Sequence, residues 1–380
     1  MPAREQLWSS ARTRVLGAAA LGAALLGLIS VSCNSEDDAD GVDASGGAAG
    51  ASDRGGSNAG GEPLGSGGDG GPSGGSLGST GGSGGTAPGE PAADYEPVYT
   101  ASGLTFPTSI AVDSEWVYVG FGSGIYSAPK DGSGELELLQ EGRVESVAVL
   151  GDLLLYTDLS ELMSMPLGGG ASTQFTQSTS GRVPADKIVV VGEDAFAART
   201  FSPCGATFVE SVYSLRPATH RGAPVVSAAC LKEFTADETH VYFGVGSYGS
   251  VVGSISRVPH AGGEPEVIVE DVDVMYGMAI HDGEIFFGAG DGEGLMGSLY
   301  KAPITGGAAE AVQTLGIEGG AWSFDGRLVV NRGYVVSEWT GSTFEQLASA
   351  PPIVKDVAAD GSHIYFVSGA SPPLVGRAPF

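Results

Sequence analysis

From Tyr95 onward the chain is written in short apolar runs, each a handful of residues long and each closed by a turn signal. The line HVYFGVGSYGSVVGSISRVPHAGG (His240–Gly263) returns 44 residues later as EIFFGAGDGEGLMGSLYKAPITGG (Glu284–Gly307), identical at eight of 24 positions. Each copy holds an aromatic-centred run (VYF, IFF), a glycine-rich turn, a second run (SISRVP, SLYKAP) and a closing Gly-Gly turn. Runs this short, rich in Val, Ile, Tyr and Phe and bounded by Gly, Pro and Asp, predict antiparallel strands.

A further short apolar run stands before each aromatic, often closing on Asp: IAVD before WVYVG, FTAD before HVYFG, VAAD before HIYFV. Aligning on the centre of the second run gives Tyr118, Leu155, Phe196, Tyr242, Phe286, Val329 and Tyr365, with steps of 37, 41, 46, 44, 43 and 36 residues. Self-similarity at about 40–45 residues with four strands per unit is the signature of a propeller blade. The pattern therefore predicts an all-β, seven-bladed β-propeller over residues 94–380. The divergent third unit leaves six blades and an insert as the alternative. Most units end in a fourth strand (LELLQ, EVIVE, AEAVQTL), whereas the last stops at LVGRAPF, one strand short, and YEPVYTA (Tyr95–Ala101) stands spare at the other end. Joining the two closes the ring and removes an exposed edge.

The repeat lines, ADETHVYFGVGSYGSVVGSISRVPHAGG and IAVDSEWVYVGFGSGIYSAPKDGSG among them, resemble the class of secreted propellers that includes the YWTD, NHL and TolB-like families. The resemblance covers Tyr95 to Phe380 and implies a fold. Function on such a ring is set by its loops and channel residues.

The N-terminal part has a different character. Arg4, Arg12 and Arg14 precede the run VLGAAALGAALLGLISVS, which ends at Cys33. A basic region, a short apolar stretch and small residues before a cut mark a secretory signal. The pattern resembles the lipobox of bacterial lipoproteins, which implies cleavage after residue 32 and lipidation of Cys33. An uncleaved anchor helix is the alternative, at the lower length limit for spanning. Residues 33–93 follow as a polar tether: 21 of the 50 residues from Gly41 to Glu90 are glycine, without one aromatic side chain. Such a segment buries too little apolar surface to offset the entropy of ordering. Signal, tether and ring together resemble the lipoprotein propellers of myxobacteria-like bacteria. Asn34 in place of the Asp that holds enteric lipoproteins at the inner membrane points to the outer membrane or cell surface of a Gram-negative envelope.

Charge agrees with an exported module. Without residues 1–32 the chain carries 15 basic against 44 acidic residues, with no basic cluster, which argues against nucleic acid as a partner. In an oxidising compartment Cys204 and Cys230, which bracket the irregular third unit, are expected to form a disulfide.

Motifs for chemistry are sparse. Of the five histidines (His220, His240, His260, His281, His363), His240 and His363 share a repeat position, which a ring holds apart; no HExxH occurs, and GxSxG is absent from Tyr95 onward, so neither a metal, a cofactor nor a catalytic residue is expected. Asp113, Asp237 and Asp360 recur at the first turn of their units, where an Asp caps backbone N–H groups. DGSG (Asp131–Gly134) and DGEG (Asp291–Gly294) lack the ligand spacing of a calcium loop and read as hairpin turns. The charged positions that open the inner strands are Glu145, Asp186, Lys187, Lys232, Glu233, Lys355 and Asp356, which a ring would gather around one channel mouth, either as ion-paired lining or as a binding site. The expected function is a membrane-tethered, monomeric binding or scaffold module for a protein or carbohydrate ligand. A channel-centred hydrolase or lactonase, or a TolB-like envelope-assembly component, are the alternatives.

Overall fold

The computed structural model describes residues 95–104, 106–177, 181–200, 209–246, 253–290, 297–314, 320–332, 335–349 and 353–380. The signal segment, Cys33, the tether, Cys204 and DGEG lie outside the described residues. The described strands form seven small sheets, and the innermost strand of each packs against the innermost strands of its two neighbours all the way round. This is a seven-bladed β-propeller, not six blades and an insert. One 3-10 turn, Pro217–Thr219, is the sole helical element among the described residues.

Blade 1 shows the common plan. Its strands are Pro107–Val112, Trp116–Phe121, Gly124–Pro129 and Glu137–Glu141, hydrogen-bonded in that order from axis to rim. The second strand is buried along nearly its whole length, because adjacent blades cover both of its faces, whereas the rim strand is half-buried or exposed. That explains why the second runs read as continuous apolar stretches without clean alternation. All seven aligned centres, from Tyr118 to Tyr365, lie on second strands with at most 2% of their surface exposed.

Local chemistry sets the turns. Where a third strand ends in Pro and Gly follows three residues later, the glycine N–H bonds the proline carbonyl: Gly169 to Pro166 at 2.9 Å, Gly262 to Pro259 at 2.8 Å, Gly306 to Pro303 at 3.0 Å. These glycines hold φ of +82°, +80° and +99°, a region that side chains with a Cβ avoid. The repeated Gly-Gly is thus a demand of the turn.

Blade 3 departs from the plan. Its inner pair, Lys187–Val191 and Asp194–Ala198, carries a long hairpin, Val209–Arg216 with Arg221–Ala229, and Thr176–Gln177 adds a fifth strand, parallel to Arg221–Gly222. The long step in the third unit is this hairpin.

The N-terminal strand Glu96–Thr100 pairs antiparallel with Leu374–Pro379 and completes blade 7 outside Val354–Ala359 and His363–Ser368. Tyr99 is 7% exposed and donates to the Pro129 carbonyl of blade 1 at 2.6 Å. Arg377 grips Glu96 at 2.7–2.8 Å and donates to the Lys130 carbonyl at 2.8 Å. Lys130 in turn reaches Asp360 at 2.6 Å, so strand, last blade and first blade are tied at one corner.

Two measurements check this closure. Tyr99→Ala is expected to cost about 3–5 kcal/mol, the usual penalty for emptying a buried aromatic site. A chain starting at Ser102 should unfold at markedly lower denaturant than one starting at Tyr95, and aggregate through the bared edge of Leu374–Pro379. Equal midpoints for the two chains would contradict a shared blade.

Candidate functional site: the axial channel and its bulged mouth

The inner strands enclose a channel with a cavity of about 1210 Å³. One mouth lies where these strands begin, and there the backbone repeats a distortion. Pairing to the second strand skips a residue between Pro107 and Ser109, Leu231 and Glu233, Val274 and Tyr276, and Val354 and Asp356, and shifts again between Val144 and Val147. A β-bulge leaves one residue unpaired and re-aims its neighbours. The residues involved are those that the repeat alignment places before Ile110 and its equivalents.

What fills the bulges differs around the ring. In blade 2 the N–H groups of Glu145 and Ser146 both donate to the Thr157 hydroxyl, at 3.2 and 3.0 Å. Ser109 accepts from the N–H of Val147 at 3.2 Å, and Ser146 from that of Ile188 at 3.3 Å, so each serine takes the first inner N–H of the next blade. In blade 7 Asp356 does the same for Ile110 at 3.0 Å. Its carboxylate also accepts from Ser109 Oγ at 2.7 Å, Trp322 Nε1 at 2.9 Å and the Val357 N–H at 2.9 Å. Burial pushes the Asp356 pKa up, against the pull of these donors.

Between blades 3 and 4 the link is ionic. Lys187 pairs with Glu233, which also accepts from the Phe234 N–H at 2.9 Å, and the Lys187 ammonium lies 5.7 Å from the Phe234 ring centroid. Between blades 5 and 6 glycines bring the backbones together: a Cβ on Gly277 would stand 2.7 Å from the Ala321 nitrogen, and one on Gly320 only 2.3 Å from the Trp322 ring. The indole therefore lies over Gly320 and reaches across to Asp356.

Of the seven charged positions, Glu145, Asp186, Lys187, Glu233, Lys355 and Asp356 line the cavity. Lys232 is buried, 4% exposed; burial raises the Asp273 pKa, and the Lys232 charge offsets only part of that rise. Glu145 is held by Arg143 at 3.2 Å. Asp186 accepts from the Thr200 N–H and hydroxyl at 2.8 and 2.9 Å. Burial raises its pKa to about 6, and the like charges of Glu145 and Glu233, in the blades on either side, push the same way. Lys355 is exposed at the rim. Sequence reasoning missed Trp322, Thr157 and Thr200, whose roles depend on contacts between strands distant in sequence. Its one available signal was Gly320 beside an aromatic in the inner strand of blade 6.

At the opposite end, Asp113, Asp237 and Asp360 hold the first turns. Each accepts two backbone N–H groups at 2.6–2.9 Å and the hydroxyl of the tyrosine five residues on, Tyr118, Tyr242 or Tyr365, at 2.8, 2.7 and 3.2 Å. His240 and His363 sit beside these turns in different blades, each with Nδ1 2.8 Å from a neighbouring hydroxyl. Among the described residues no three His, Cys, Asp or Glu side chains are grouped to hold a metal ion.

No family model matches the sequence, and a comparison with curated proteins finds no relative. Solved structures do share the fold. The extracellular domain of BT4673 from B. thetaiotaomicron superposes with a TM-score of 0.55 at 10% identity, over 76% of this chain and 40% of that one. PorZ, a bacterial surface component of the type-IX secretion system of Porphyromonas gingivalis, gives 0.53 at 14% identity, over 75% and 39%. Hydrazine synthase from Kuenenia stuttgartiensis gives 0.53 at 12% identity, over 74% and 97%. The chain thus spans about two-fifths of the first two, and the similarity is one of propeller architecture.

The position of Asp186 has a consequence that can be measured. A carboxyl whose pKa is higher folded than unfolded holds its proton more tightly in the folded state. Its stabilising contribution is present below about pH 4 and is lost as the pH rises to about 6, to a total of roughly 3 kcal/mol. Asp186→Asn keeps an acceptor for Thr200 and removes the charge. Urea unfolding at about pH 3.5 and about pH 7.5 is expected to show the variant gaining on the parent at the higher pH; a difference that ignores pH would contradict this.

Proposed function

We propose that the chain is a lipid-anchored, extracytoplasmic propeller that works as a binding or scaffold module, taking its ligand at the bulged mouth of the channel. The observation that carries this reading is the cavity, which opens where the charged positions gather and where Lys355 is exposed at the rim. Clefts lined by a few convergent polar groups are where ligands bind. The basic start, apolar run and Cys33 support export and lipidation, and the glycine-rich tether supports a ring held away from a membrane. PorZ supports the use of this architecture at a bacterial surface.

A disulfide between Cys204 and Cys230 belongs to the same reading. Val209 pairs with Ala229 at the open end of the blade 3 hairpin, so the chains leading to the two cysteines depart from one place. Mass spectrometry of unreduced peptides from exported protein is expected to find them linked, and two alkylated thiols would rule the bridge out.

Two experiments test the module itself. Cys33→Ser should move the protein from the membrane fraction to the soluble or unprocessed pool; unchanged mass and partition would refute the anchor. A photo-crosslinking amino acid at Lys355 should give envelope adducts that the same group at Leu138, on the rim of blade 1, does not. Equal adducts, or none, would refute ligand binding at the mouth.

A further inference from the structure

The bonds that hold the ring leave two features of the mouth unexplained. The first is charge. Four of the carboxylates that line the channel, Glu145, Asp186, Glu233 and Asp356, stand at this mouth with the amines of Lys187 and Lys355; Lys187 is already paired with Glu233 and the exposed Arg143 with Glu145. Glu145, Asp186 and Glu233 form an arc over blades 2–4, with Asp186, its pKa raised first by burial and further by these two like charges, at the centre.

The second is apolar exposure. Phe106 and Leu159 are each 69% exposed and Ile353 is 42% exposed. Phe106 and Ile353 precede the inner strands of blades 1 and 7, and Leu159 follows the second strand of blade 2, so all three stand on the face of the bulged mouth. Phe106 and Ile353 converge over Gly369, where an added Cβ would lie 3.7 and 3.8 Å from their side chains. The mouth therefore has an apolar lip at the seam of blades 7 and 1 and a carboxylate arc across blades 2–4.

Resting on the reading of the mouth as a binding site, we propose that it docks an extended protein segment carrying a lysine or arginine beside apolar side chains. The cation enters the channel against Glu145 and Asp186, and the apolar neighbours cover Phe106, Ile353 and Leu159. Charge complementarity selects this occupant: an acidic or neutral apolar segment would desolvate the carboxylates without compensation. A small cation would satisfy the arc and leave the lip in water, and exposed apolar residues near a polar rim mark protein contacts.

The test is a hexapeptide library selected on the immobilised full chain, with Glu145→Gln/Asp186→Asn and Phe106→Ser/Ile353→Ser as counter-targets whose folding is checked by circular dichroism. Winners are expected to carry Lys or Arg next to apolar residues. A synthetic winner should bind each variant about ten-fold more weakly or worse, and exchanging its basic residue for Glu should abolish binding irrespective of any variant. Winners without a basic residue, or winners indifferent to both variants, overturn the proposal while leaving a binding module standing. Spermine that competes fully and ignores Phe106→Ser/Ile353→Ser would assign the arc to a free polyamine and also overturn it. No enrichment, together with no adducts from position 355, would end both readings.

Discussion

The ring depends on how the first inner N–H of each blade is satisfied. A bulge at the head of an inner strand frees backbone groups that face neither solvent nor the second strand, and a buried donor left unpaired costs about 1–3 kcal/mol. Ser109 and Ser146 answer this for the blades that follow them, and Asp356 answers it where the last blade meets the first. The Asp356 carboxylate accepts donors from blades 6, 7 and 1 together. One side chain thus joins the seam that the N-terminal strand closes from the rim. Inner mouth and outer edge are fastened independently, by a buried carboxylate at the axis and by Glu96, Tyr99 and Arg377 outside.

The far end of the blades is held by another repeated device. Where the second strand centres on tyrosine, an aspartate stands five residues before it and ties the turn to the strand. Where the centre is Leu155, Phe196, Phe286 or Val329, tight turns such as Gly151-Asp152 and Asp282-Gly283 replace it. The two solutions exclude one another for a physical reason. A buried phenol needs an acceptor, and the turn aspartate can accept from it while still capping the turn. Both ends of the channel are therefore built by polar groups whose bonding capacity is largely used in structure.

Much of this architecture is legible in the chain. Period and strand count identify the blades, and a spare strand at one end with a vacancy at the other identifies the closure, because both follow from hydrophobic patterning along the sequence. The bulges are less legible. Glu145-Ser146, Lys232-Glu233 and Lys355-Asp356 read as charged pairs opening a strand, and nothing local says that the strand skips a residue there. The skip turns Glu233 and Asp356 to their partners and leaves Lys232 buried and Lys355 exposed, which residue type alone does not distinguish. Trp322 is illegible for the same reason: its role comes from Gly320 beneath it and Asp356 one blade away.

This division bears on where recognition can reside. Ser109, Ser146 and Asp356 spend their hydrogen bonds on holding neighbouring blades, and a ligand that competed for them would be opposed by the stability of the ring. Glu145 and Asp186 are differently placed. Arg143, the partner of Glu145, is itself largely exposed at 66%, so that pair has little to lose to water. Asp186 is held by a single residue, Thr200, in surroundings that disfavour its charge. A group whose ionised form is disfavoured in the empty ring gains most when a cation arrives, since the same burial that raises its pKa strengthens the attraction. The channel therefore separates its carboxylates into those that build the ring, Asp356 and Glu233 among them, and those, Glu145 and Asp186, that a positive ligand would stabilise.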